Sequence, residues 1–209
     1  DDPRWIPPLD MMMKEHLSPA HDPVYEHATV ALFTARKNGR LVGRVSATED
    51  RAWLDRWQDA TGHFGYFDTI DDLEVAQALL SKAEGWLRQR GLKRVNGPMG
   101  FTATQEIGML VDGFEHSPML DMAHSRSYQG RLVEQCGFTK EKDLLAWRYE
   151  TSRPFSARTM KAWESITSLP EVRLRTVQMS RLREELELIM NIYNETWSDK
   201  WGYVPTTSK

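Results

Sequence analysis

Between Gly65 and Pro98 the chain reads GYFDTIDDLEVAQALLSKAEGWLRQRGLKRVNGP, and no other stretch constrains the fold as tightly. Leu73, Ala76, Leu79, Leu80, Ala83, Trp86 and Leu87 recur with the 3.6-residue period of a helix. One face of that helix is apolar and must pack on a sheet. Strand-like runs flank it, GHFGYFDTI before and LKRVNGP after. Asp71 is the expected N-cap, with Glu74 completing a capping box, and Gly91 is the expected C-terminal stop.

The rest of the chain is read outward from this unit. Upstream, EHATVALFTARKNGRLVGRVSAT is two β runs joined by Asn38-Gly39, a strong hairpin signal. DRAWLDRWQDAT, residues 50–61, puts Trp53, Leu54 and Trp57 on one helical face. The proline-rich start, residues 1–23, is an extended segment around one short helix holding Met11, Met12 and Met13. Downstream, residues 99–123 are loop-rich, SRSYQGRLVEQCGF is a shorter helix ending at Gly137, and DLLAWRYET is another strand. A helix over 156–168 follows, with Met160, Trp163 and Ile166 as its stripe. EVRLRTVQM then alternates like a fresh strand. The last helix, 180–197, is capped by Ser180 and carries Leu182, Leu186, Ile189, Met190, Tyr193 and Trp197 on one face. The expected class is α/β with a mixed sheet. RWIPPL at 4–9 is echoed by KWGYVPTT at 200–207, which raises a tandem repeat caught out of register.

Length and charge exclude several classes. The 209 residues suffice for one good-sized domain, or one domain and part of another. A formal charge of −3 argues against a nucleic-acid binder that works by covering phosphates, but not against a local site for a small anion. A lone Cys136 forms no internal disulfide and suits a reducing cytoplasm. No apolar run approaches the roughly 20 residues of a membrane helix. The chain starts at Asp1 rather than Met, so the expected true N-terminus lies upstream. The G-x-S-x-G, G-x-x-x-x-G-K and G-x-G-x-x-G signatures are absent. His16, His21 and His27 lack a helical ligand spacing, so no metal is expected.

The order hairpin, strand, long helix, strand, shorter helix, strand resembles the GNAT acyltransferase fold. DPRWIPPL, GRLVGRVSA, GHFGYFDTIDD, AEGWLRQRG, GPMGFTATQEIGMLVDGF and GFTKEKDLLAW are similar to stretches of a bacterial GNAT-like family that includes the bacterial ceramide synthases. IYNETWSDKWGYVPTT resembles the opening of a second GNAT-type half in such proteins. The resemblance implies a first domain over 1–154 lacking its opening strand and helix, a connecting helix and linker over 155–171, and the start of a second domain over 172–209. It implies transfer of an acyl group from a coenzyme A thioester to an amine, in one branch a long-chain sphingoid base. It further implies a cytoplasmic protein, or one peripheral to the inner membrane, with the missing second half and a small-molecule or lipid amine acceptor as partners. The alternative is a non-catalytic half that acts as a scaffold for a catalytic partner half.

The same resemblance selects site residues and puts some in doubt. GNAT proteins offer the amides of a Gln/Arg-x-x-Gly-x-Gly/Ala turn to the coenzyme A pyrophosphate, assisted by the helix dipole. Here Asp71, Asp72, Leu73, Glu74, Val75 and Ala76 stand in that turn, so either the helix is simply capped or the acids point outward from a working site. Asn96 and Gly97 either face the thioester or end their strand. Glu106 is the candidate general base and otherwise a solvated loop residue. Tyr128 is the candidate general acid and otherwise a core tyrosine. The usual Tyr position, four residues before the closing Gly-Phe, holds Val133. Tyr128 matches only one Tyr of a YNPxYY-like run whose other members are replaced by His124, Ser125, Arg126 and Ser127. His116 and His124 flank a loop with Asp121 and are weaker candidates for a base. Met11 to Met13 with Trp53 and Trp57 either line an acyl groove or cover missing elements.

Overall fold

The computed structural model describes residues 2–119 and 122–205, so Asp121 and Thr206-Thr207 of the terminal echo lie outside the described residues. The chain forms two compact bodies: residues up to 141 together with 198–205, and residues 142–197.

The first body is built on a four-stranded mixed sheet of order β1-β2-β3-β4. Strands β1 (Ala28–Lys37) and β2 (Arg40–Asp50) form the expected hairpin. Its turn residues Asn38 and Gly39 have φ of 52° and 78°, and a tight turn needs both there to follow the strand twist. β3 (Thr61–Thr69) runs antiparallel to β2, and the short β4 (Arg94–Asn96) runs parallel to β3. The central helix, here α3 (Leu73–Gln89), makes the crossover between them. Its Val75, Ala76, Leu79, Leu80, Ala83 and Leu87 pack on Val45 and Ala47 of β2 and on Phe64 and Phe67 of β3. Burying each such Leu or Phe side chain contributes about 1.5–3 kcal/mol. The hydrophobic face of α3 is thus what holds the sheet.

Three shorter helices complete this body. α1 (Asp10–His16) carries the methionines, α2 (Arg51–Trp57) follows β2, and α4 (Ser127–Gln135) closes on the end of β3. α2 buries Trp53, which packs with Met99 and with Val204 from the returning segment 198–205. Trp57 Nε1 donates to the Tyr203 carbonyl at 3.1 Å, and Arg56 donates to the Ser198 carbonyl at 2.6 Å. Met11 and Met12 stay exposed on α1, outside this tryptophan cluster.

Two local expectations are corrected. The N-cap of α3 is Asp72, not Asp71, so Glu74 stands one position too early to close a capping box. At the far end, Gly91 takes φ 83° as the stop required.

The second body contains α5 (Ala157–Thr167) and α6 (Leu182–Trp197), as the periodicity indicates. Ser180 does not cap α6 but lies in a 3-10 turn just before it. The strands expected at 143–151 and 171–179 do not form. Both segments alternate suitably, but a strand also needs a neighbouring edge to take its amides and carbonyls. No strand is described within this body to provide one. Leu144, Leu145, Trp147 and Leu174 are left exposed.

Candidate functional site

At the N-terminus of α3 the chain's own carboxylates take the helix amides and two cations. Asp72 Oδ1 accepts the amides of Glu74 at 3.0 Å and Val75 at 3.4 Å. Lys37 Nζ lies 2.7 Å from Asp72 and 3.4 Å from Glu74, and Arg131 Nη2 lies 2.5 Å from Asp71. The Lys37 ammonium, then the two amides, hold the Asp72 carboxyl below its ordinary value, and the same pairing raises Lys37. Two cations and two helix amides therefore converge where the sequence shows only acids. Leu73 opens the helix and stays partly exposed.

β4 is three residues long and all three pair with β3, the last being Asn96 opposite His63. Beyond that point the chain stays against β3. The Met99 amide donates to the Phe64 carbonyl at 2.9 Å, and Met99 and Phe67 are both buried. Asn96 is half-buried at the end of β4. Gly97 lies against Phe64, where a Cβ would meet the Phe64 carbonyl oxygen at 2.3 Å.

Tyr128 donates its hydroxyl to the Thr69 carbonyl at 2.7 Å, and burial raises its phenol. Beside it, Gln129 Nε2 donates to Asp68 at 3.0 Å. Both bonds clamp α4 to the end of β3. Glu106 is exposed on the loop after Met99, and its charge reaches Tyr66 of β3. His124 pairs with Asp2 at 3.2 Å and His116 with Glu115 at 3.2 Å.

The sequence pattern does not single out Tyr66, which the fold brings to His16. Its hydroxyl lies 2.5 Å from His16 Nε2, and His16 Nδ1 is bonded to Asp22. The partners are 50 and 44 positions apart along the chain from Tyr66 and hence have no spacing signature: 66 − 16 and 66 − 22. The glycine before Tyr66, in GHFGYFD, was the one available hint, since it lets the backbone of residue 99 approach.

The sheet face opposite α3 is polar and buried. Ser46, Thr48 and Asp50 of β2 lie beside Thr61 and His63 of β3. Among the described residues, Ser46 Oγ, Thr48 Oγ1, Asp50 Oδ2, Thr61 Oγ1 and both His63 ring nitrogens have no hydrogen-bond partner. Burial pulls His63 down to about 4, against the pull of Asp50 and Asp59. The folded protein thus holds His63 neutral, while the unfolded chain protonates it near pH 6.5. This contribution to stability is complete above pH 6.5 and is lost as pH falls toward 4. It amounts to at most about 3 kcal/mol, at roughly 1.4 kcal/mol per pH unit. In a His63→Gln variant, the urea midpoint should fall less steeply between pH 6.5 and pH 4 than in the wild type. Parallel curves would show that His63 does not titrate this way.

Among the described residues no group of three or more His, Cys, Asp or Glu side chains could hold a metal ion. Among the same residues no helix is long and apolar enough to cross a membrane.

The first body is therefore an α/β domain with a helical crossover, a helix N-terminus ringed by charges, and a tyrosine–histidine–aspartate cluster beside β3. Comparison with known proteins places it further. Over 208 residues, 99% of its length, the chain is 38% identical to "Protein YghO" of Escherichia coli (strain K12), covering 53% of that protein. It is also 38% identical over 208 residues to "Bacterial ceramide synthase" of Caulobacter vibrioides (strain NA1000 / CB15N), covering 54% of it. The chain belongs to the bacterial family that contains these two proteins. It spans about half the length of the curated relatives it matches. No family model and no solved structure matches it.

Proposed function

We propose that the protein is an acyl-CoA-dependent N-acyltransferase of GNAT-like fold in tandem halves, acting on a long-chain, sphingoid-like amine. Kinship with a protein named ceramide synthase carries this reading. The cation-flanked start of α3 supports it. The Asp71 and Asp72 carboxylates stand in for the pyrophosphate oxygens. Binding would exchange them for phosphate on Lys37, Arg131 and the amides of Glu74 and Val75. Asn96 and Gly97 flank the thioester arm in this reading, and Glu106 is a base at the mouth.

A second reading is favoured by one observation. After β4 the chain stays against β3, with the Met99 amide bonded to the Phe64 carbonyl at 2.9 Å, as in a half that has become a scaffold. Calorimetry on the full-length protein with acetyl-CoA and palmitoyl-CoA separates the two. In an Asp72→Lys variant, which removes the competing carboxylate, affinity for both thioesters is expected to rise about tenfold, the equivalent of roughly 1.4 kcal/mol. Binding that ignores the substitution moves the pyrophosphate away from α3 and favours the scaffold. No binding of either thioester removes coenzyme A from the account.

A further inference from the structure

Three polar side chains from separate stretches of the chain meet beside a bulge in β3. Asp22 Oδ1 accepts the Val24 amide at 2.8 Å, which anchors the carboxylate, while Oδ2 holds His16 Nδ1. The His16 ring stacks on Phe101 with centroids 4.7 Å apart, and Gln105 Nε2 lies 3.5 Å from Nδ1. A carboxylate only accepts, so Nδ1 carries the hydrogen. In the neutral ring Nε2 is then the acceptor, and the Tyr66 hydroxyl, 2.5 Å away, donates to it.

The backbone pays for this arrangement. β2 and β3 change register between Arg44 and Ser46, which leaves an extra residue in β3. Tyr66 takes φ 45° there, a left-handed conformation that a bulky side chain rarely adopts. Without the bulge Tyr66 would follow Phe64 onto the face covered by α3. With it, Tyr66 packs on Phe101 and reaches His16. Strain of this kind persists where surrounding structure imposes it, and it concentrates at functional sites.

We propose that Tyr66 is the proton-transfer residue for acylation of the amine, with His16 and Asp22 as the positioning residues that receive and hold its proton. This rests on the acyl-transfer reading above. As the neutral amine nitrogen bonds to the thioester carbonyl carbon, it gives one proton to the Tyr66 oxygen. The Tyr66 proton passes to His16 Nε2, and Asp22 balances the imidazolium. When the C–S bond breaks, its electron pair leaves on sulfur. His16 then returns the proton through Tyr66 to the thiolate, leaving an amide, a thiol and the starting protonation state. Nothing beyond the two substrates is required.

The surroundings suit this role. Burial, the charges of Glu106 and Asp22, and Tyr25 push the Tyr66 phenol well above its ordinary value, opposed by Arg44. The resting hydroxyl is therefore protonated and ready to donate. Trp5, Ile6, Leu9, Met11 and Met12 are exposed on and before α1, the helix that ends in His16. That apolar surface fits a long-chain substrate beside the relay.

The test uses the full-length protein with palmitoyl-CoA and a long-chain amine, over pH 6 to 9. Tyr66→Phe is expected to lower kcat by about 10²–10⁴, the usual worth of a general acid–base group, with both KM values little changed. His16→Gln should lower kcat with both KM values little changed, a split that a packing role would not produce. Nitrogen NMR of the wild-type protein should find the His16 hydrogen on Nδ1. Wild-type turnover by Tyr66→Phe overturns the relay and leaves acyl transfer standing. An Nε2–H tautomer also overturns it, even if the variants fail to fold. No amide from the wild type removes acyl transfer, and the relay with it.

Discussion

Gly65→Ala is expected to destabilise the first body by about 3 kcal/mol. A Cβ on Gly65 would lie 1.5 Å from the Met99 carbonyl oxygen and 3.1 Å from Ser46 Oγ. The oxygen belongs to the main chain, so no rotamer change relieves the clash. Its neighbours are fixed as well: the Met99 amide bonds to the Phe64 carbonyl at 2.9 Å, and the Gly100 amide to the Glu106 carbonyl at 2.7 Å. Overpacking in a rigid core costs about 1–3 kcal/mol and occasionally more, and backbone contact puts this case at the top. A domain holds only about 5–15 kcal/mol. Gly85→Ala is the control: nothing lies within 4 Å of its Cβ, and a helix gains roughly 1 kcal/mol from Ala over Gly. A urea titration that ranks Gly65→Ala level with Gly85→Ala would contradict the close approach of 65 and 99.

Trp53→Ala should cost about 3–5 kcal/mol, as truncation of a buried aromatic side chain does. The indole is 2% exposed and lies edge-on to His63 with centroids 4.6 Å apart. Its Nε1 donates to Asp59 at 3.2 Å, and Trp57 and Trp201 lie 5.6 and 6.4 Å away. Losing it removes the platform on which Val204 packs. Amides of 201–204 should therefore exchange hydrogen much faster in the variant, beyond what global destabilisation gives. Unchanged relative protection there would mean that the returning segment is held by something other than Trp53.

The elements that were legible in the sequence are those whose signal is local. α3 follows from seven apolar residues at helical spacing, and the hairpin from Asn38-Gly39, whose left-handed geometry few other pairs accept. The strands at 143–151 and 171–179 have the pattern of strands, but pairing depends on an edge that the pattern does not contain. The same limit applies at the candidate site. Asp71, Asp72 and Glu74 were visible as acids at a helix start, whereas Lys37 and Arg131, which neutralise them, arrive from β1 and α4. Asp72 displaced Asp71 as cap because it stands next to the first helical residue, a shift of one that sequence periodicity does not resolve. Tyr66 was hidden for a different reason. A strand pattern assigns residue 66 to the face of Phe64, and only the bulge turns it toward His16.

The most direct test of acyl transfer is a mass-spectrometric assay of the full-length protein with palmitoyl-CoA and a long-chain amine. The account expects the N-acyl amide and free coenzyme A in equal amounts, with no covalent acyl-protein. Thioester consumption without amide, or no consumption across chain lengths, would contradict it.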